Sequence, residues 1–262
     1  MREFLGIGGY TREPEGFLSW QHLTFVTSLM IIMVALAVIL GRRNRNASEK
    51  TRNVPLIVSA FLINALEISK AVIACLRDDD PNRWAYELPL FLCSIQFFTI
   101  PLAAFTKGRF REICLDFVFI FGILGAVLGT YGAGQNYGCY PVICLDNMVS
   151  GLSHTTSGFC SLYIVISGMA SMKKRNIPFC FGIVSVFCIV SYIVNIAIDY
   201  NYMFLMRGDG TPYDIIFNLV GGNKVLYPTI VVLLFFLYIF AFNLVYHLVC
   251  DRKQKDAIQA GS

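Results

Sequence analysis

Seven apolar runs, centred on Leu29, Ala65, Phe97, Ile123, Ser161, Phe187 and Phe235, dominate the chain, each about 20 to 24 residues long. An α-helix rises ~1.5 Å per residue, so a run of that length spans the ~30 Å hydrocarbon core of a bilayer. The expected fold is therefore an all-α polytopic membrane protein with seven transmembrane helices. They are expected over residues 19–41, 54–76, 85–106, 112–131, 148–171, 178–199 and 225–249, in one transmembrane domain covering 1–262. Composition supports this solvent assignment, with 56% hydrophobic residues, 15% charged residues and a mean hydropathy of +0.62.

Orientation follows from lysine and arginine, which are in excess in short loops retained in the cytoplasm. Arg42, Arg43, Arg45, Lys50 and Arg52 lie after the first run, and Lys107, Arg109 and Arg111 after the third. Lys173, Lys174 and Arg175 follow the fifth, and Arg252, Lys253 and Lys255 the seventh. One alternation satisfies all four clusters, giving an external amino terminus and a cytoplasmic carboxyl terminus. The net charge of +4 mostly reflects these clusters, so it speaks for topology and contact with anionic lipid rather than nucleic acid. The first run is long enough to span and ends in "GRRNR", so it is expected to be kept rather than cleaved. No cofactor-binding motif such as a phosphate-cradling glycine loop is present, and the carboxylates of "DDDPN" at 78–82 read as a solvated helix cap rather than a metal site.

Six of the nine cysteines lie in or at the ends of expected helices, where cysteine usually packs as a small hydrophobe. Cys139 and Cys144 share the external loop "GQNYGCYPVICLDN" and are close enough in sequence to bridge on the oxidising side; the alternative is two free thiols beneath a folded loop. Cys93 is set apart by its company. Polar side chains inside a bilayer are expensive and mark interior cavities more often than lipid faces. Counted from the outer helix ends, Cys93, His154 and Glu67 fall within ~10 to 14 Å of the boundary.

Residues three and four apart share a helix face. On that spacing Pro89, Cys93 and Gln96 form one stripe, and Ser150, Gly151, His154, Ser157, Gly158 and Ser161 a second. Asn64, Glu67 and Lys70 form a third, and Ser191, Asn195, Asp199 and Tyr202 a fourth. A cysteine and a histidine at one depth are the minimal apparatus of nucleophilic acyl chemistry, the imidazole taking the thiol proton and returning it to the leaving group. On the residues alone, an ion or solute pathway, and still more packing around a small-residue seam, outweigh an acyl-transfer site.

"ELPLFLCSIQFF" at 87–98, "SWQHLTFVTSLMI" at 19–31, "SHTTSGF" at 153–159 and "NYMFL" at 201–205 resemble, in matching order, motifs of the YwaF-like bacterial integral membrane proteins. The chain departs from that pattern after "NYMFL", where "MRGDGTPYDIIFNLVGGNKVLYP" lacks a tryptophan-rich approach to the last helix. That family is similar to the eukaryotic transmembrane protein 164 acyltransferases and, more distantly, to the androgen-induced membrane hydrolases, which cleave fatty-acid esters with a threonine and a histidine. The resemblance implies a multi-pass protein of the bacterial plasma membrane that transfers or hydrolyses acyl groups of lipid esters. It implies Cys93 as nucleophile and His154 as general base, a membrane phospholipid or fatty-acyl ester as partner, and no cofactor or metal.

Beside that pair, Gln96 or Asn64 is expected as the oxyanion donor. Glu67 either polarises His154 or balances Lys70. His22, Asn195, Asp199 and Asn201 border a headgroup pocket with Lys70, or else cap helix ends. The competing expectation is a transporter or ligand-sensing protein whose relay runs through Glu67, Lys70, Asn195 and Asp199. Against it, the inner halves of the helices, such as "LMIIMVALAVIL" and "LLFFLYIFAF", are almost wholly apolar, and broken helices in paired positions are not evident.

Overall fold

Serine caps set the first two long helices. In the computed structural model, which describes residues 1–260 with side chains over 1–250, α1 (Arg2–Leu5) is a single turn. Helix α2 (Trp20–Asn44) starts where Ser19 Oγ accepts the His22 amide at 3.2 Å. Helix α3 (Glu49–Asp78) starts where Ser48 Oγ accepts the Thr51 amide at 3.3 Å. Each cap satisfies a backbone donor that the first turn leaves without an intrahelical acceptor. Asp79, at φ 49°, ends α3 in the left-handed region. There follow α4 (Gln96–Phe105), α5 (Gly108–Tyr131), α6 (Gly134–Cys139), α7 (Leu145–Ile166), α8 (Ile177–Ile198), α9 (Tyr213–Leu219) and α10 (Leu226–Ala260). No strand occurs among the described residues. Arg252, Lys253 and Lys255 lie outside the residues whose side chains are described.

Among the described residues, five stretches are long and apolar enough to cross a membrane: Trp20–Asn44, Glu49–Asp78, Gly108–Cys139, Lys174–Ile198 and Leu226–Cys250. Their outward residues are apolar, among them Ile31, Ile39, Phe61, Ile68, Ile189, Ile193, Leu237 and Phe240, the inverse of a soluble surface. The other two expected spans take different forms. Helix α7 is buried for most of its length, from Leu145 to Ile164, against α2, α3 and α5, so "SGLSHTTSGF" meets protein and need not be apolar. Helix α5 is its inner partner: 61% of its apolar window is buried, against 17% for α2 and 22% for α3.

By its contacts the chain divides into two compact units, Met1–Pro89 with Cys93–Ser171, and Leu90–Leu92 with the chain from Met172. The core of the first unit joins Leu56, Ala60 and Ile63 of α3, Ile100 and Ala103 of α4, Leu115 and Val118 of α5, and Cys160, Tyr163 and Ile164 of α7. In the second, α8 packs on α10, and Asn195 exchanges two hydrogen bonds with the backbone of Tyr202, at 3.0 and 2.7 Å.

The largest departure from expectation is the third segment. A continuous helix over 85–106 is replaced by a tight 3₁₀ turn (Arg83–Tyr86), an irregular stretch from Glu87 to Leu92, a second 3₁₀ turn (Cys93–Ile95) and the short α4. Pro89 is the cause: its ring disfavours helical geometry at Leu88 and it brings no N–H of its own. The stretch is held by its neighbours instead. Lys70 Nζ pairs with Glu87 Oε2 at 2.8 Å, and Arg83 Nη2 with Glu87 Oε1 at 3.3 Å. Within the second unit, Ser191 Oγ donates to the Leu90 carbonyl at 3.0 Å, and the Phe91 ring meets Tyr202 edge-on at 5.2 Å. The stripe expected for Pro89, Cys93 and Gln96 therefore survives only between Cys93 and Gln96, and a depth counted along a regular helix does not apply to Cys93.

At one end of the first unit the amino-terminal segment is tied down by charge. Arg77 grips Asp146 through Nη1 at 2.7 Å and Nη2 at 3.2 Å, while Tyr10 donates to the same carboxylate at 2.6 Å. Side-chain exposures of 12% and 8% make this a buried pair. Removing one member strands the other, a loss of about 3–5 kcal/mol in such pairs. Arg77→Ala is expected to lower the detergent melting temperature by many degrees, and Tyr10→Phe by the smaller amount of one hydrogen bond, ~1 kcal/mol. Thermal unfolding of both variants checks the order.

Candidate functional site

Glycine opens the space in which Cys93 and His154 meet. Gly125 and Gly129 lie one turn apart on α5. A Cβ placed on Gly125 would stand 3.7 Å from Cys93 Cβ and 4.0 Å from His154 Nδ1, so the two side chains flank one point. A Cβ on Gly129 would fall inside the imidazole of His154, whose Cε1, Cδ2 and Cγ lie directly against that glycine. The imidazole therefore lies on bare backbone, and its placement depends on residue 129 having no side chain. The same seam continues inward. A Cβ on Gly122 would meet the Ser157 carbonyl at 2.5 Å, and one on Gly158 would meet Ala126 Cβ at 2.5 Å. The small residues of α7 thus serve close packing on α5. Cys93 and His154 are both half-buried, neither sealed in the core nor fully open.

Beside them stands an unpaired donor. Gln96, 1% exposed, accepts from Thr99 Oγ1 at 3.2 Å through Oε1, while its Nε2 is buried without a hydrogen-bond partner. A buried amide left unpaired costs about 1–3 kcal/mol, so it is either a defect or a donor waiting for something absent from the protein alone. Gln96 lies three residues after Cys93.

The remaining expected site residues are engaged elsewhere. Asn64, the alternative oxyanion donor, spends its amide on the Ala60 carbonyl at 2.9 Å and the Phe97 carbonyl at 3.2 Å, joining α3 to α4. Glu67 accepts from Ser153 Oγ at 2.8 Å, next to His154 in sequence, and Lys70 is paired with Glu87. His22 is fully buried with both ring nitrogens used: Nδ1 accepts the Leu18 amide at 3.1 Å, which makes Nε2 the donor to the Thr130 carbonyl at 3.1 Å. Its ring lies on Tyr137 at 3.9 Å, a structural anchor for the start of α2. In the second unit, Asn195 is locked to Tyr202, Asp199 caps α8 at φ 51°, and Asn201 Nδ2 donates to Asp209 Oδ2 and the Arg207 carbonyl, both at 2.7 Å.

Outside the spans, burial and the Asp146 carboxylate push Tyr10 far above the ordinary phenol range, so it remains a neutral donor. Burial likewise raises the Cys144 thiol. Cys144 is buried, Cys139 is exposed, and both are unbridged thiols; a raised thiol is a poor starting point for exchange.

All of the groups around Gly125 fall inside one region of family similarity, which runs over residues 17–246 and matches the TMEM164 family. The chain belongs to the TMEM164 family. It is a multi-pass membrane protein of that family, with Cys93, Gln96, Gly125, Gly129 and His154 all within the matched residues. No curated relative and no solved structure matches it. Sequence reasoning missed Gly125 and Gly129, although their spacing, small-xxx-small in an apolar run, is the usual sign of close helix approach. Glu87 and Ser153 carried no signal of their own, because each is defined by its partner on α3.

Proposed function

We propose that this TMEM164 family member transfers acyl groups between lipid esters, with Cys93 as nucleophile and His154 as general base. The observation that carries the proposal is the convergence of both side chains on the point above Gly125, with the unpaired Gln96 amide three residues along from Cys93. In the first half-reaction His154 takes the Cys93 proton and the thiolate attacks the ester carbonyl. Gln96 Nε2–H donates to the oxyanion, and the collapsing intermediate expels the lipid alcohol, which recovers the proton from the imidazolium. The acyl group is then a thioester on Cys93. A second lipid alcohol or water attacks it, surrendering its proton to His154, and the departing thiolate is reprotonated.

In this proposal the chain crosses seven times with an external amino terminus, as the alternating basic loops require. The third crossing combines an irregular half, Glu87 to Leu92, with a helical one, Cys93–Phe105, which covers ~20 Å. Irregular backbone at membrane depth survives only where protein satisfies it, and the hydrogen bond to the Leu90 carbonyl is of that kind. A break in a spanning segment beside a cysteine and a histidine marks a working site rather than a packing helix. The relay reading has less behind it, because Lys70 and Asn195 are already paired.

Gln96→Leu separates the proposal from a structural account. Removing an unpaired buried amide is expected to leave the melting temperature unchanged or slightly raised, while acyl transfer falls by ~10²–10³, the usual cost of one oxyanion donor. Lipid mass spectrometry of nanodiscs incubated with wild type and variant reads the transfer. Unchanged transfer with unchanged stability removes Gln96 from the mechanism.

A further inference from the structure

Two adjoining cavities at the end of α3 differ completely in chemistry. The first, about 410 Å³, is lined by Ile68, Ala71, Val72, Cys75, Leu76 and Trp84, with no polar surface. The second, about 310 Å³, begins at the next residues of both strands of chain: Arg77 and Asp78 follow Leu76 on α3, and Arg83 precedes Trp84. Gly6, Gly8, Gly9, Tyr10 and Tyr140 complete it. Apolar space thus gives way to polar space at one level, along one helix. Trp84 is 53% exposed there, and the Arg83 guanidinium stands 5.5 Å from the Tyr86 ring centroid, an aromatic and cationic belt of the kind found where acyl chains meet headgroups.

We propose that these cavities bind one glycerophospholipid, an acyl chain lying in the α3 groove and the phosphodiester in the polar cavity. The groove faces outward from a membrane-spanning helix, so bilayer lipid is what reaches it. The polar cavity supplies the complement of a phosphodiester. Arg83 spans two carboxylates, its Nε 2.9 Å from Asp78 and its Nη2 3.3 Å from Glu87; when its 31% exposed side chain turns to phosphate, Glu87 keeps Lys70 at 2.8 Å and Asp78 is 42% exposed, so no buried charge is left unpaired. Arg77 is committed to Asp146 and adds positive potential rather than a free donor. Asp78 lies at the exposed rim, where it accepts the ammonium of a zwitterionic headgroup once Arg83 has turned away. A sterol or a neutral diacylglycerol fits the groove but leaves the polar cavity unmatched.

This site is independent of the acyl-transfer proposal, since none of its residues belongs to the Cys93 centre. It predicts a lipid retained at one place. The experiment uses the full chain in nanodiscs doped with a phosphatidylcholine whose acyl chain carries a photoreactive diazirine, with labelled peptides read by mass spectrometry. In wild type and Cys93→Ala alike, label is expected to concentrate several-fold on peptides spanning residues 68–84. Ala71→Trp, which fills the groove with a bulky side chain at an outward helix position, is expected to remove that excess. Arg83→Gln is expected to reduce it for phosphatidylcholine but not for a diazirine diacylglycerol. Soluble glycerophosphate is expected not to compete, distinguishing a lipid headgroup from a free phosphate site. Label spread evenly over all outward helix faces, or indifferent to both substitutions, overturns the proposal, as does equal concentration of the diacylglycerol. Circular dichroism and thermal melting confirm that the variants compared are folded.

Discussion

If the proposed acyl transfer is this protein's activity, it is expected to fall to background in Cys93→Ala and by ~10²–10⁴ in His154→Ala, the range over which positioned general bases contribute. The asymmetry comes from the chemistry. Without the sulfur there is no covalent intermediate. Without the imidazole the sulfur remains but must lose its proton to some weaker acceptor while half-buried. The structure adds a condition: because both side chains flank Gly125 within van der Waals reach of one point, the double variant is expected to be no worse than Cys93→Ala alone. Additive losses in lipid mass spectrometry would mean that the two residues act separately.

Gly129→Ala is expected to be nearly as damaging, although residue 129 contributes no functional group. The added methyl would occupy the place of the His154 ring, which lies directly on that glycine, so the imidazole must rotate away or α5 must part from α7. Overpacking of this kind costs about 1–3 kcal/mol, so the variant is expected to fold with a lowered melting temperature. Transfer is expected to fall as far as in His154→Ala. Gly125→Ala supplies the contrast, because its methyl makes ordinary contacts at 3.7 and 4.0 Å. It is expected to keep near-normal stability while narrowing the space between thiol and imidazole. If Gly129→Ala retains both stability and transfer, the imidazole does not need its present seat.

How much of this was legible in the sequence varies by element. The long apolar helices were, since α2, α3, α5, α8 and α10 obey the simple relation between length, hydropathy and a bilayer. Helix α7 was found as an apolar run but departs from the lipid-facing type, because burial by neighbouring helices removes the pressure to be uniformly apolar. That relief is what lets it carry Ser153, His154 and Ser157. The third segment was misjudged by treating "ELPLFLCSIQFF" as a helix that tolerates a proline. Pro89 instead breaks regular structure, and the chain is carried to Cys93 through bends held by Lys70, Arg83 and Ser191. No local rule gives those anchors, since each lies on another element. Cys93 and His154 were placed at one level by a count of helical depth, and that count does not apply to Cys93 because its segment is not a regular helix, although both side chains approach Gly125. The polar residues Asn64, His22, Asn195 and Asn201 stood out in the sequence because they are polar in an apolar setting, and each satisfies backbone groups that the fold leaves open, as the capping alternative for the last three has it.

The most direct measurement is the intact mass of the purified protein in phospholipid nanodiscs, for wild type, Cys93→Ser and His154→Ala. The account predicts a wild-type species heavier by one fatty-acyl group, removed by neutral hydroxylamine, as a thioester is. It is expected to be absent from Cys93→Ser or replaced there by a hydroxylamine-resistant ester, and strongly reduced in His154→Ala. Three folded proteins with the same unmodified mass and the same unaltered lipids, across several donor lipids, would contradict the assignment of acyl chemistry to Cys93.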